Sequence, residues 1–324
     1  MTGNAVTEDR FPPRPPAGKL FRSPSGPSRL IPGLPLTLGY TLFYLSALVL
    51  IPLAGMVFKT TQLSWSEFWQ TITDPIVMAS FKLTFTASAI AAAVNGIFGL
   101  IVAWVLVREP FPGRRFFDAL IDLPFALPTA VAGLTFSSLF LANGWIGGLG
   151  RYLADLVNWL AGLAGFGEIV SADALSWLNF PYSNTNTGIV LVLIFVGLPF
   201  VVRTVQPVLR EWDTENEHAA VSLGANSWTI FRRVIFPEIF PAWLSGVALA
   251  FARAIGEYGS VIFIAGNIPG KSQIAPLQIV IKLDDFRTAQ ATAIGIVLLF
   301  FSLLLLLGIN GIEWWTRRRE HRVA

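Results

Sequence analysis

Cysteine is absent from the 324 residues. No disulfide and no thiolate metal site can form. Histidine is nearly absent too. His218 and His321 are the two copies, far apart in the chain, and they offer no histidine-based metal centre. Charge is scarce, at 13% of residues, and the small net charge of +3 says less than its distribution. The signatures GxxxxGK[ST], HExxH and GxSxG are all missing. The chain therefore has no Walker-type nucleotide site and no recognisable hydrolytic nucleophile or zinc motif. The expectation is a non-catalytic protein without a cofactor of its own. An intramembrane enzyme would need a nucleophile or metal site that the sequence does not supply.

Apolar residues are what the chain has in excess. They make up 54% of it, and the mean hydropathy is +0.62. These values belong to a polytopic membrane protein. Six apolar segments lie near 36–58, 81–107, 119–141, 187–206, 241–265 and 289–312. Each approaches the ~20 residues that cross a hydrocarbon core. Surrounded by lipid, each must satisfy its backbone internally, so all six are expected to be helices. The first is too long for a signal-peptide core and is expected to be retained. Pro124 and Pro128 in the third, and Pro199 in the fourth, predict kinks. The expected fold is all-α with six transmembrane helices.

Residues 1–34 are rich in Pro, Ser and Arg and predict an extended or disordered arm. Its basic residues fit orientation of the first span better than nucleic-acid binding, and no nucleic-acid partner is expected. Loop charges set the orientation. The arm shares one side with Arg108, Arg114, Arg115, Arg203, Arg210, Arg232, Arg233 and the basic tail 316–324. Fewer cations, among them Lys59, Lys82, Arg151, Lys271, Lys282 and Arg287, fall on the other. Both termini are thus expected in the cytoplasm. The long loop 142–186 contains LGRYLADLVNWLAGL at 149–163, which predicts an amphipathic helix lying on the interface or folded back on the bundle.

The longest well-patterned polar stretch runs from Asp213 to Pro241. Thr214 and Glu217 have capping-box spacing. Ala219, Ala220 and Leu223 follow on one face, and Gly224 can adopt the left-handed conformation that ends a helix. Asn226 or Ser227 can cap a second helix carrying Ile230, Phe231, Val234 and Ile235. Pro237 and Pro241 mark the return to apolar sequence. A helix–glycine–helix elbow between two spans results, with a tip suited to a cleft in another protein.

These residues resemble the cytoplasmic loop of bacterial ABC importer permeases. Its pattern is E-A-A, three residues, G, nine residues, I-x-L-P. The matching positions are His218, Ala219, Ala220, Gly224, Val234, Phe236 and Pro237, and both spacings agree. His218 departs from the family glutamate, which Glu217 precedes by one residue. Phe236 departs from leucine. The resemblance implies that the loop, about 211–240, docks on an ABC ATPase dimer. It also implies that ATP is bound by that partner. Glu217 is expected to supply the docking carboxylate after a small rotation of the elbow, with packing by Ala219 and Ala220 as the alternative.

Two ionisable residues, Arg253 and Glu257, lie inside the fifth apolar segment. Such residues are costly and are usually paired or face an aqueous pathway. Their i, i+4 spacing predicts an ion pair, structural or gate-lining, and the carboxylate argues against a simple anion site. Asp118 and Asp122 are expected to pair on the surface with Arg114 and Arg115. The stretches at 122–140, 197–209 and 254–269 are similar to the T-type permease subunit of sulfate/thiosulfate ABC importers, and the similarity covers most of 35–315. It implies the type I importer permease fold in a bacterial inner membrane. It also implies a second homologous permease, a periplasmic sulfate/thiosulfate-binding protein and alternating access driven by the ATPase. Permeases for molybdate or tungstate share the loop and the fifth-segment pattern. An ion-coupled secondary transporter is the remote alternative, for which Arg253 and Glu257 are thin support.

Overall fold

The computed structural model describes residues 34–163, 171 and 175–320. The arm 1–33, His321, Arg322 and much of the long loop lie outside them. The chain divides into two compact units, up to Ala54 and from Gly55 onward. Helix α1 (Leu34–Thr60) begins in the first and ends in the second.

Every regular element among the described residues is helical. Helix α2 (Trp65–Thr73) starts in a capping box, with Ser64 Oγ accepting from Glu67 N and Glu67 Oε2 accepting from Ser64 N at 2.8 Å. Asp74 then caps α3 (Pro75–Arg108), its Oδ1 accepting from Ile76 N at 2.8 Å. Short helices α4 (Arg114–Ile121), α5 (Leu123–Ala126) and α6 (Thr129–Phe140) follow. The amphipathic α7 (Leu149–Leu163) falls where the sequence predicts it. Helix α8 (Asn186–Glu211) opens on a Thr185 cap and remains one helix through Pro199 and Pro207. The elbow helices are α9 (Glu215–Ser222) and α10 (Ser227–Ile230). A π-helical turn, Phe231–Ile235, joins α10 to α11 (Phe236–Ile255). Helices α12 (Val261–Ile264), α13 (Ala275–Asp284) and α14 (Thr288–Glu320) complete the chain.

Among the described residues, five helical stretches are long and apolar enough to cross a membrane: Leu36–Thr60, Pro75–Arg108, Asn186–Glu211, Ser227–Ile255 and Thr288–Ile309. The third apolar segment of the sequence does not form a sixth unbroken helix of that length. It is broken at Asp122 and again at Leu127–Pro128. Pro124 occupies the first turn of α5, and Pro128 holds Leu127 extended, at φ −84° and ψ 134°. Two prolines four residues apart thus leave α6 as a twelve-residue helix. The fifth segment also departs from expectation, because its helix starts within the elbow and stops at Ile255.

Helices α3, α8 and α11 pack against one another and hold the centre of the second unit. Small residues let them close. A Cβ on Gly99 of α3 would stand 2.8 Å from Val201 Cβ on α8. Ala103, Leu106, Val201, Val202, Val205, Leu209 and Ile239 form one buried cluster at the elbow end. Ala87, Ala91, Ile189, Val192, Val261 and Ile264 form another near α12. The elbow and the end of α11 are thereby mounted on the same three helices.

Candidate coupling and transport site

The elbow is built from turn chemistry. Asp213 Oδ1 accepts from Glu215 N at 2.9 Å, which sets the start of α9. The expected capping box at Thr214 and Glu217 does not form. Thr214 makes no side-chain cap, and the Glu217 carboxylate is drawn away to Arg108. Gly224 ends α9 at φ +82°, in the left-handed region that glycine enters without a Cβ clash. Asn226 Oδ1 accepts from Thr229 N at 2.8 Å and starts α10. Pro237 sits in the first turn of α11, where its missing N–H costs little.

One face of this elbow is anchored. Ile230 and Ile235 are buried against Ala103, Leu106, Val205 and Leu209, with Ala220 and Val234 packed alongside. Trp104 of α3 meets Phe231 edge to face at 5.6 Å. Arg108 Nη2 donates to Glu217 Oε1 at 2.7 Å, and its guanidinium lies 5.3 Å from the Trp104 ring centroid. The other face is bare. His218, Ala219 and Gly224 are exposed, Leu223 is 89% exposed, and Trp228 is 67% exposed. Arg232 and Arg233, in the π turn that follows, are exposed as well. Glu217 faces the protein's own α3, whereas His218 lies in the exposed set.

A second knot of charge braces the neighbouring helices. Arg203 on α8 donates from Nε and Nη2 to the two oxygens of Asp122, at 2.7 and 2.6 Å. Its Nη1 reaches Asp118 Oδ1 at 2.7 Å. Gln206 Nε2 also donates to Asp118 Oδ1, at 3.0 Å. The Gln206 hydrogen bond, aided by Arg203 and opposed by burial, holds the Asp118 carboxyl below the usual carboxylate range. The expected partners Arg114 and Arg115 are thus replaced by Arg203. An arginine on a packed helix offers a planar fork at fixed height, which a loop arginine at the surface does not.

Arg253 and Glu257 flank the point where the fifth helix stops. Arg253 Nη1 stands 2.6 Å from Glu257 Oε2. Glu257 Oε1 accepts from Ser260 N at 2.9 Å and from Ser260 Oγ at 2.8 Å. The carboxylate therefore satisfies the backbone freed by the break between α11 and α12. Helix α6 grips the same break, since a Cβ on Gly133 would lie 2.7 Å from Ser260 Cα. The broken third segment and the broken fifth one meet here. Arg108, Arg203 and Ser260 are the functional neighbours that sequence reading missed. The two arginines registered as loop charges, and Ser260 gave no signal beyond its place after Glu257. No group of three or more metal-ligating side chains occurs among the described residues.

Residues 95–318 match the family model described as binding-protein-dependent transport system inner membrane component. The chain is 45% identical over 285 residues to the "Sulfate transport system permease protein CysT" of Escherichia coli (strain K12), covering 88% of this chain and 94% of that one. A Synechocystis sp. (strain PCC 6803) protein of the same printed name is 44% identical over 278 residues, covering 86% and 88%. Among solved structures, a bacterial alginate ABC transporter in complex with its pentasaccharide-bound periplasmic protein matches with TM-score 0.64 and 17% identity, over 86% of this chain and 93% of that one. The fold is that of type I ABC importer permeases. The chain belongs to the binding-protein-dependent transport system inner membrane components, as a membrane permease subunit of an ABC importer.

Proposed function

We propose that this permease subunit carries sulfate or thiosulfate across the inner membrane. The observation that carries the reading is the 45% identity, over nearly the whole length of both chains, to a protein named a sulfate permease. In the proposed assembly a second, related permease completes the pathway and a periplasmic binding protein delivers the anion. The elbow 213–241 docks on a separate ATPase in the cytoplasm. The arginine bias supports both termini on that side as well, which requires the broken third segment, α5 and α6, to cross as an interrupted sixth span. The bare face of the elbow supports this docking. Leu223 and Trp228 are large apolar side chains left open beside polar sequence, which is the composition of an interface anchor. ATP binding then acts only through its different contacts with the two states of the elbow.

The test is uptake of labelled sulfate into proteoliposomes holding this chain, the second permease and the ATPase, with loaded binding protein outside. ATP-dependent uptake competed by thiosulfate is expected. Uptake of molybdate alone would reassign the substrate. Uptake by this chain without any ATPase, under an ion gradient, would overturn the coupling.

A further inference from the structure

Arg253 and Glu257 share an ion pair but not the same surroundings. Glu257 is 2% exposed and uses both oxygens, one on Arg253 and one on Ser260. Arg253 is 36% exposed and meets the carboxylate through Nη1. Among the described residues, its Nε and Nη2 donate no hydrogen bond. Nε and Nη2 form the planar edge with which Arg203 holds both oxygens of Asp122. Arg253 thus keeps free the edge that recognises two oxygens of one anion.

Arg253 lies near the end of an apolar span, and after the polar break at Glu257–Ser260 the chain is apolar again in α12. A partly exposed guanidinium in such a span faces a water-filled passage or another subunit rather than lipid. Gly256, three residues on, has open space where a Cβ would stand. We propose that the free edge of Arg253 contacts the transported tetrahedral oxyanion as it crosses, with Glu257 as the positioning residue that aims it. This rests on the sulfate reading above. The carboxylate suits the role. An unopposed arginine would hold a dianion too firmly to release it, whereas a neutral pair binds through directed donors and lets go.

The experiment measures sulfate taken up per ATP hydrolysed, in the complete reconstituted complex with loaded binding protein. Arg253→Gln is expected to cut that ratio about tenfold or more, the loss of one charge-assisted contact. Arg253→Lys is expected to recover part of it, keeping charge but losing the planar edge. The double change Arg253→Met with Glu257→Gln removes the buried unpaired charge and serves as the folded control. Its ratio is expected to stay as low as that of Arg253→Gln. If uptake and hydrolysis fall together with the ratio unchanged, Arg253 is structural and the proposal fails. Loss of the second permease from the purified Arg253→Gln complex would assign the free edge to a subunit contact, which also overturns it. No sulfate uptake by the unmodified complex would remove the substrate reading and this inference together.

Discussion

Arg108, the last residue of α3, holds Glu217 of α9 through a 2.7 Å ion pair. The Glu217 carboxylate of the elbow is therefore engaged inside the chain. It fixes how far α9 stands from the end of α3.

Glu217→Gln should loosen α9 by about 1–2 kcal/mol, the worth of a partly buried charge-assisted hydrogen bond. Substrate-stimulated ATP hydrolysis by the reconstituted complex should fall accordingly. Adding His218→Glu should not restore it, because position 218 is exposed and lies outside the Arg108 contact. Full rescue by that second change would mean that the charge is needed on the ATPase rather than on Arg108.

A Cβ on Gly224 would meet nothing within 4 Å, so only the φ of +82° resists a side chain there. Gly224→Leu should cost about 1–2 kcal/mol through the left-handed backbone alone. Transport should collapse while membrane insertion persists. Gly224→Asn should retain much more uptake, since asparagine enters that region more readily. Equal damage from both would place the fault in lost docking space instead of backbone strain.

The third expectation concerns stability around the helix break. Arg253→Met leaves Glu257 buried without its cation, at a cost of about 3–5 kcal/mol. The double change with Glu257→Gln should be less destabilised than the single one. Thermal inactivation of the detergent-purified complex reads this directly. A double variant weaker than the single would show that the two residues stabilise the fold separately.

Acid should release the Arg203 clasp in a definite window. The Asp118 carboxyl is lowered from its ordinary value of 3.8, so its contribution is complete above that value. It disappears as pH falls through the depressed folded-state value. The part of complex stability that Asp118 contributes should therefore be lost below about pH 4 in the unmodified chain. Asp118→Asn should start less stable at neutral pH and show a shallower acid limb. An unchanged limb would mean that another carboxylate governs acid loss.

Periodicity and turn chemistry made much of the fold readable. Gly224 and the Asn226 cap are local features, and they form where spacing alone predicts, whereas Phe231–Ile235 winds as a π turn that runs on into the fifth span. The 149–163 helix follows for the same reason. What stayed hidden was long-range. The pull of Arg108 on Glu217 spans 109 positions and overrides a capping box that local sequence favours. Arg203 reaches Asp118 and Asp122 across more than 80. Pro124 and Pro128 were visible and read as kinks. Their effect was larger, because each interrupts hydrogen bonding within one turn of the other. The exposed edge of Arg253 was also beyond sequence, since i, i+4 spacing gives the pair but not which partner is buried.

The π turn at Phe231–Ile235 makes the elbow and the fifth span continuous from Ser227 to Ile255. Trp228 and Arg253 therefore ride on one beam. Pro237, in the first turn of α11, and Pro241, the proline inside it, both lie near the elbow end. Beyond Pro241 the beam has no proline before the break. At 1.5 Å per residue its length is roughly 40 Å, so a tilt of about 10° at the elbow sweeps the far end through about 7 Å. That exceeds the diameter of a tetrahedral oxyanion. If the elbow docks as proposed, a small rotation there would be geared up into an oxyanion-sized displacement at the Arg253 end.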